Sequence, residues 1–130
     1  MGGVSRLRMI CMMTGTVLAC SCSDERGIIW HAEAASPNGH YLARAETIQQ
    51  GGPGNAWVST EVRLMQGESD KGIEILILSY DDAPQPVPDA VSMTWDGDKT
   101  LHLKYSPSGH LDFQAVRASG VDIDTAPRSR

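Results

Sequence analysis

The chain has 130 residues and a mass of 14.0 kDa, the size of a single domain, and 41% of its residues are apolar, 21% charged and 5% aromatic. This composition excludes a disordered acidic chain, and the lack of any apolar run near 20 residues excludes a polytopic membrane protein. The formal charge of −5 makes nucleic acids and anionic lipid headgroups poor electrostatic partners.

Residues 1–19 are predicted to be a signal peptide. Arg6 and Arg8 give the leader a positive charge, and residues 9–19 carry no charge, which is typical of secretory signals. As a helix this uncharged segment reaches about half of a ~30 Å hydrocarbon core, so we expect cleavage rather than a spanning anchor. Its removal leaves 9 basic and 16 acidic residues, a formal charge of −7.

The segment Val17-Leu18-Ala19-Cys20 resembles a bacterial lipobox. The resemblance implies that diacylglycerol is attached to the Cys20 sulfur, that cleavage occurs before Cys20, and that a fatty acid such as palmitate acylates the new amino group. Several acyl chains hold a protein on a bilayer almost permanently. Ser21, in place of the aspartate that retains enteric lipoproteins at the inner membrane, favours the outer membrane, facing the periplasm. The alternative is an ordinary signal peptide with a chance cysteine.

The rest of the chain is predicted to contain a tether, one domain and a tail. Residues 20–27 are small and polar and form the lipidated tether, residues 28–124 form a β-domain, and residues 125–130 form a disordered tail. Lipidation of Cys20 leaves Cys22 as the single mature cysteine, so no disulfide within the mature chain is expected.

The domain is predicted to be all-β, a small antiparallel β-sandwich or open barrel of about seven short strands. Strand-like runs alternate with segments that join Gly or Pro to Asn, Asp or Ser, and no helical periodicity is sustained. The predicted strands are Ile28–Ala34, His40–Ile48, Ala56–Met65, Gly72–Tyr80, Ala90–Trp95, Thr100–Tyr105 and Leu111–Arg117, with a stub at Val121–Ile123.

Three of these segments predict how the domain packs. The run Ile73–Leu78 is apolar at nearly every position, so we expect a central strand covered on both faces, with Ile75 and Ile77 buried. The runs 91–95 and 101–105 alternate, and a three-residue loop at 97–99 pairs them so that their apolar side chains share one face. That register buries the side chains of Trp95, Leu101 and Leu103 and exposes those of His102 and Lys104.

A family resemblance rests on the hairpin Ser36-Pro37-Asn38-Gly39-His40-Tyr41-Leu42-Ala43. Together with the glycine-rich loop, the apolar strand and the alternating pair that follow, the hairpin resembles small uncharacterised bacterial envelope lipoproteins with a single SPDGK-type β-domain. The resemblance covers residues 34–123 and departs from the family pattern at Gln50–Asn55. It implies an exported β-rich domain without an assigned activity.

No residue pattern predicts catalysis or a cofactor. The four histidines lack metal-ligand spacing, Asp96-Gly97-Asp98 is a turn rather than a calcium loop, and no Gly-x-Ser-x-Gly nucleophile motif is present. We therefore predict a non-enzyme without metal or cofactor. Trp30 and Trp57 are interpreted as core residues.

The favoured function is a lipid-anchored envelope protein that binds or scaffolds another envelope protein, with no nucleic-acid partner. The alternatives are an accessory lipoprotein of a secretion or surface-assembly machine and, less favoured, a small membrane-tethered hydrolase. The best candidate contact surface is the Gln49–Trp57 loop, because its glycines leave the backbone accessible beside an aromatic ring. Its named residues are Gly51, Gly52, Gly54 and Trp57.

Overall fold

The computed structural model describes residues 27–51, 56–80 and 89–129. Within these ranges the chain forms nine strands and no helix, arranged in two sheets, so the predicted all-β class is confirmed as a small β-sandwich. The strands are β1 (Gly27–Ala35), β2 (Tyr41–Gln50), β3 (Trp57–Gln66), β4 (Ile73–Tyr80), β5 (Val91–Asp96), β6 (Thr100–Tyr105), β7 (His110–Gln114), β8 (Arg117–Ala118) and β9 (Val121–Pro127). The predicted lipidation site, Cys20, lies outside the described residues.

The two sheets differ in how their strands pair. The large sheet has the order β1-β2-β3-β4-β7, and all of its neighbouring strands are antiparallel. The small sheet has the order β5-β6-β9-β8, and within it β6 and β9 are parallel. The expectation of a purely antiparallel fold is therefore wrong for this one pair.

The hairpin of β5 and β6 has the predicted register. Trp95 lies opposite Leu101, Met93 lies opposite Leu103, and residues 97–99 form the loop. Gly97 adopts a φ of 68°, a left-handed conformation that glycine takes without a steric penalty. The alternation of apolar and polar residues therefore sets this register, since a shift by one residue would turn Leu103 to the solvent.

The predicted strand Leu111–Arg117 is divided between the two sheets. Its first part is β7, which pairs with β4, and its last residue begins β8, which pairs with β9. Between them, the Ala115 N–H donates to the Ile75 carbonyl at 2.9 Å, and the Val116 carbonyl accepts from the Ile123 N–H at 2.9 Å. These two residues carry the chain between the sheets and close one side of the sandwich.

The predicted stub at 121–123 is the start of β9, which continues to Pro127. β9 pairs with β6 up to its last residue, where Pro127 of β9 lies opposite Tyr105 of β6. Residues 125–127 consequently belong to the small sheet, which corrects the prediction of a disordered tail over 125–130. Parallel pairing supplies hydrogen-bond partners that the sequence of this segment does not reveal.

β4 lies inside the large sheet, between β3 and β7, but only one of its faces is fully covered. A register shift at Ile75 places both Ile75 and Leu76 in the core, while Ile77 is half-buried and Ile73 half-exposed. The prediction that both faces are buried is therefore wrong for Ile77. Trp95 is likewise half-buried rather than buried.

The core lies between the inner faces of the two sheets. Leu76 and Leu78 of the large sheet and Leu101 and Leu103 of the small sheet are fully buried within it. Lys104 is exposed and His102 is partly exposed on the opposite face of β6, as the alternation predicts.

The sandwich has two ends, which we call the far end and the near end. At the far end, the backbone N–H of Asn38, in the β1–β2 turn, donates to Asp98 Oδ1 in the β5–β6 turn at 2.8 Å. At the near end lie Gly27, where β1 begins, and Arg128, whose N–H donates to the Tyr105 carbonyl at 2.9 Å. Both termini of the described chain thus leave the domain on the side from which the predicted tether enters.

Candidate functional site

Over the described residues, the sandwich is closed on one side and open on the other. The chain passing from β7 to β8 closes the first side, whereas β1 and β5 are the outer strands of their sheets on the second side. Within the described residues no strand pairs with the outer edge of either β1 or β5. Two unpaired strand edges therefore lie beside one another.

A groove of about 360 Å³ runs between these two edges, and we call it the seam groove. Half-buried Trp30 and Met93 and the alanines of β1 form its apolar walls, and three charged residues lie at its rim. Its lining residues are Trp30, Ala32, Glu33, Ala34, Asp89, Val91, Ser92, Met93 and Arg128.

The seam groove exists because small side chains occupy this part of the inner layer. Ala32 and Ala34 of β1 lie opposite Ala45 and Ala43 of β2, so four methyl groups stand where larger residues fill the remainder of the core. Close packing leaves few voids between large side chains, and a patch of alanines beside an open edge leaves accessible space.

The groove ends at the aromatic residue that joins the two sheets. The Trp95 indole N–H donates to the Ala34 carbonyl at 2.9 Å, connecting β5 to β1. The Trp95 ring stacks on Tyr41 with 6.1 Å between ring centroids, and the Lys99 ammonium lies 5.0 Å from the Tyr41 centroid. These contacts hold the far end of the open side together and leave the stretch from Trp30 to Ala32 accessible.

A chain of hydroxyl groups lies in the neighbouring core. Thr47 Oγ1 and Thr60 Oγ1 are 2.7 Å apart, and Thr60 Oγ1 is 3.0 Å from the Tyr80 hydroxyl. Burial raises the pKa of the Tyr80 hydroxyl, although the hydrogen bond with Thr60 and the positive charge of Arg128 act in the opposite direction. The Tyr80 hydroxyl is therefore protonated at neutral pH and serves to satisfy its buried neighbours.

The predicted contact surface is described only in part. Gly51 is exposed at the end of β2, Trp57 begins β3 and is 50% exposed, and Gly52 and Gly54 lie outside the described residues. The interpretation of Trp57 as a core residue is wrong, whereas Trp30 does pack against the core. Partner binding at the Gln49–Trp57 loop remains a prediction.

His102 belongs to a polar row that local sequence patterns do not predict. The pairing of β5, β6 and β9 aligns Thr94, His102 and Asp124 on the outer face of the small sheet. His102 Nδ1 is 3.1 Å from Asp124 Oδ2, and these side chains are 38% and 72% exposed. The parallel pairing of β9 creates this contact. Since both groups lie on an open sheet face, their interaction is screened by water and orients the imidazole with little gain in stability.

The described residues contain no group of three histidine, cysteine or acidic side chains placed to hold a metal ion. Over the same part of the chain, no helix is long and apolar enough to cross a membrane. Comparisons of the sequence and structure with family models, curated proteins and solved structures found no match.

The seam groove is not predictable from the sequence alone because strand order decides which strand edges are free. The alternating alanines at 32, 34, 43 and 45 were the available signal, since small residues at four inward positions indicate a thin part of the core. Their meaning depends on β1 lying at an edge. Local sequence patterns do not specify whether a strand lies at the edge of its sheet.

Proposed function

We propose that this protein is a lipid-anchored module of the bacterial envelope, facing the periplasm from the outer membrane, that binds an extended segment of another envelope protein. The seam groove between two unpaired strand edges is the observation that carries the binding part of this proposal. The lipobox-like segment ending at Cys20 supports the anchor.

Strand addition is the binding mode that suits this groove. An unpaired strand edge offers backbone N–H and C=O groups to an incoming extended chain, and apolar pockets then select its alternate side chains. The parts of the groove lined by Trp30 and Met93 would hold two such side chains of the bound segment. The predicted mature chain carries a net charge of −7, so a segment carrying lysine or arginine is favoured.

The anchor is tested by replacing Cys20 with alanine. We expect the variant to accumulate as an unprocessed precursor without an acyl label, because the cysteine sulfur is the group that accepts the lipid. Cys22→Ala is the matched control and should be processed and labelled as the unaltered protein is. Acyl-labelled, processed Cys20→Ala protein would show that the anchor is placed wrongly.

The groove is tested by photo-crosslinking in intact cells from a photoreactive amino acid at position 89. Asp89 is exposed at the rim, so we expect this position to capture an envelope protein. Ala32→Tyr fills the groove and should abolish the capture. His31→Tyr is the control, since residue 31 precedes residue 32 on β1 but points to the outer face, and it should retain the capture.

The outcome that contradicts strand binding is equally specific. Capture that persists in the Ala32→Tyr protein, or the lack of any captured protein from position 89, would show that the groove does not hold the partner. The melting temperatures of the Ala32→Tyr and His31→Tyr proteins should be compared, so that lost folding is not read as lost binding. The identity of a captured protein also distinguishes a scaffold from an accessory of a secretion or assembly machine.

A further inference from the structure

An apolar patch lies on the outer face of the large sheet at the near end of the domain. Ile28 of β1 is opposite Ile48 of β2, and Trp57 of β3 is opposite Gln50, two residues further along β2 on the same face. We call Ile28, Ile48 and Trp57 the Trp57 patch. Ile28 and Trp57 are 56% and 50% exposed, whereas Ile48 between them is 4% exposed.

The patch differs from the middle of the same face on β1, β2 and β3, which is charged. Further along the strands the same face carries ion pairs, with Arg44 Nε 2.8 Å from Glu33 Oε1 and Arg63 Nη2 3.2 Å from Glu61 Oε2. Among the described residues at the near end, the neighbours of the patch on β2 and β3 are neutral residues such as Gln50 and Ser59. A large exposed indole beside an exposed isoleucine is costly in water and marks a contact surface.

The position of the patch in the chain indicates which surface lies close to it. Gly27, the first described residue, is directly followed by Ile28, and Cys20, the proposed start of the mature chain, lies seven positions before Gly27. Seven residues span about 25 Å at most when fully extended. Acyl chains on Cys20 therefore hold the near end of the domain, and with it the Trp57 patch, within that distance of the bilayer.

We propose that the Trp57 patch rests in the interface of the membrane that holds the acyl chains, an inference that depends on the proposed lipid anchor. Tryptophan favours the membrane–water interface because its ring is largely apolar and its N–H remains able to hydrogen-bond. The isoleucine side chain adds apolar area to the same contact. The contact is with the interfacial region of neutral lipids, since the patch has no basic residue and the mature chain carries a charge of −7.

This docking fixes the orientation of the domain. The near end lies against the membrane and the far end, with the Asn38–Asp98 contact, points away from it. Strands of this length span about 20–30 Å, so the seam groove, which begins at Trp30, would extend outward from the bilayer where a periplasmic segment reaches it.

The test uses the mature lipidated protein in phosphatidylcholine vesicles whose acyl chains carry bromine near the headgroup. Bromine quenches tryptophan fluorescence on contact, so the unaltered protein should be quenched and the Trp57→Phe protein should lose most of that quenching. Trp30 and Trp95 are half-buried against the core and are present in both proteins, so they contribute the same background to each measurement. Because the contact is apolar, raising the salt concentration should leave the quenching unchanged.

A matched control places a tryptophan elsewhere on the same sheet. Phe113 of β7 is 44% exposed, and its cross-strand partner is Ile77 rather than a patch residue. A Trp57→Phe, Phe113→Trp protein should be quenched no more than Trp57→Phe alone. Equal quenching of the unaltered and Trp57→Phe proteins, with the acyl label present and the protein bound to vesicles, would overturn this proposal while leaving the anchor intact. Absence of the acyl label would overturn both.

Discussion

Replacing Leu103 with alanine is expected to lower the free energy of unfolding by about 2–5 kcal/mol. Leu103 is 0% exposed on β6, opposite Met93 of β5 and next to Thr125 of β9. It is held on both sides, so the surrounding strands have little freedom to collapse into the space left by the missing atoms. A domain of this size has a total stability of about 5–15 kcal/mol, so the loss should be visible as a much lower urea midpoint and melting temperature.

Lys104→Ala is the control for this prediction. Lys104 is the next residue on β6, and its side chain is exposed on the opposite face of the small sheet. Exposed substitutions away from special features usually change stability by less than about 0.5 kcal/mol. Comparable losses in the Leu103→Ala and Lys104→Ala proteins would mean that the face of β6 assigned to the core is incorrect.

Local features of the fold were predictable because their determinants are close in sequence. The turn at Ser36–Gly39 has the Gly39 N–H donating to the Ser36 carbonyl at 2.9 Å, and Gly39 has a φ of 73°. Both follow from the side-chain chemistry of a four-residue segment. The pairing of β5 with β6 is equally local, since one face pattern and one three-residue loop determine it.

Long-range pairing was not predictable because many alternatives satisfy the same local pattern. β6 and β9 are parallel neighbours although the short strands β7 and β8 lie between them in the chain. A strand of alternating residues such as 121–125 can bury one face in either direction, and only the complete set of contacts selects one. The division between β7 and β8 depends in the same way on backbone hydrogen bonds of Ala115 and Val116 to other strands.

In the candidate sites, too, local features are predictable from the sequence and long-range features are not. The glycines of the Gln49–Trp57 loop predict its accessibility, whereas the scarcity of aromatic residues in the chain favours a core position for Trp57, and that prediction is wrong. Its exposure follows from parity along β3, where the inward residues are Val58, Thr60 and Val62. Registers of three strands are needed to place Ile28 and Ile48 beside it.

Thr60→Val is expected to lower the free energy of unfolding by about 1–3 kcal/mol although valine has nearly the same shape as threonine. Thr60 is 0% exposed, and its hydroxyl is the middle member of the chain that joins Thr47 and Tyr80. Removing it leaves the hydroxyls of Thr47 and Tyr80 buried without the partner that each now has. The cost is the desolvation of those two groups, not a loss of packing volume, so urea denaturation should show a lower midpoint with an unchanged slope.

A double-mutant cycle with Tyr80→Phe separates this cause from a packing defect. Once the Tyr80 hydroxyl is gone, Thr60→Val leaves fewer buried groups unsatisfied, so the two losses should sum to more than the loss in the double variant. Ser92→Ala is the control, because the Ser92 hydroxyl is exposed and its 3.5 Å contact with the Lys104 carbonyl is weak. Strictly additive losses for Thr60→Val and Tyr80→Phe would show that the two hydroxyls are not coupled.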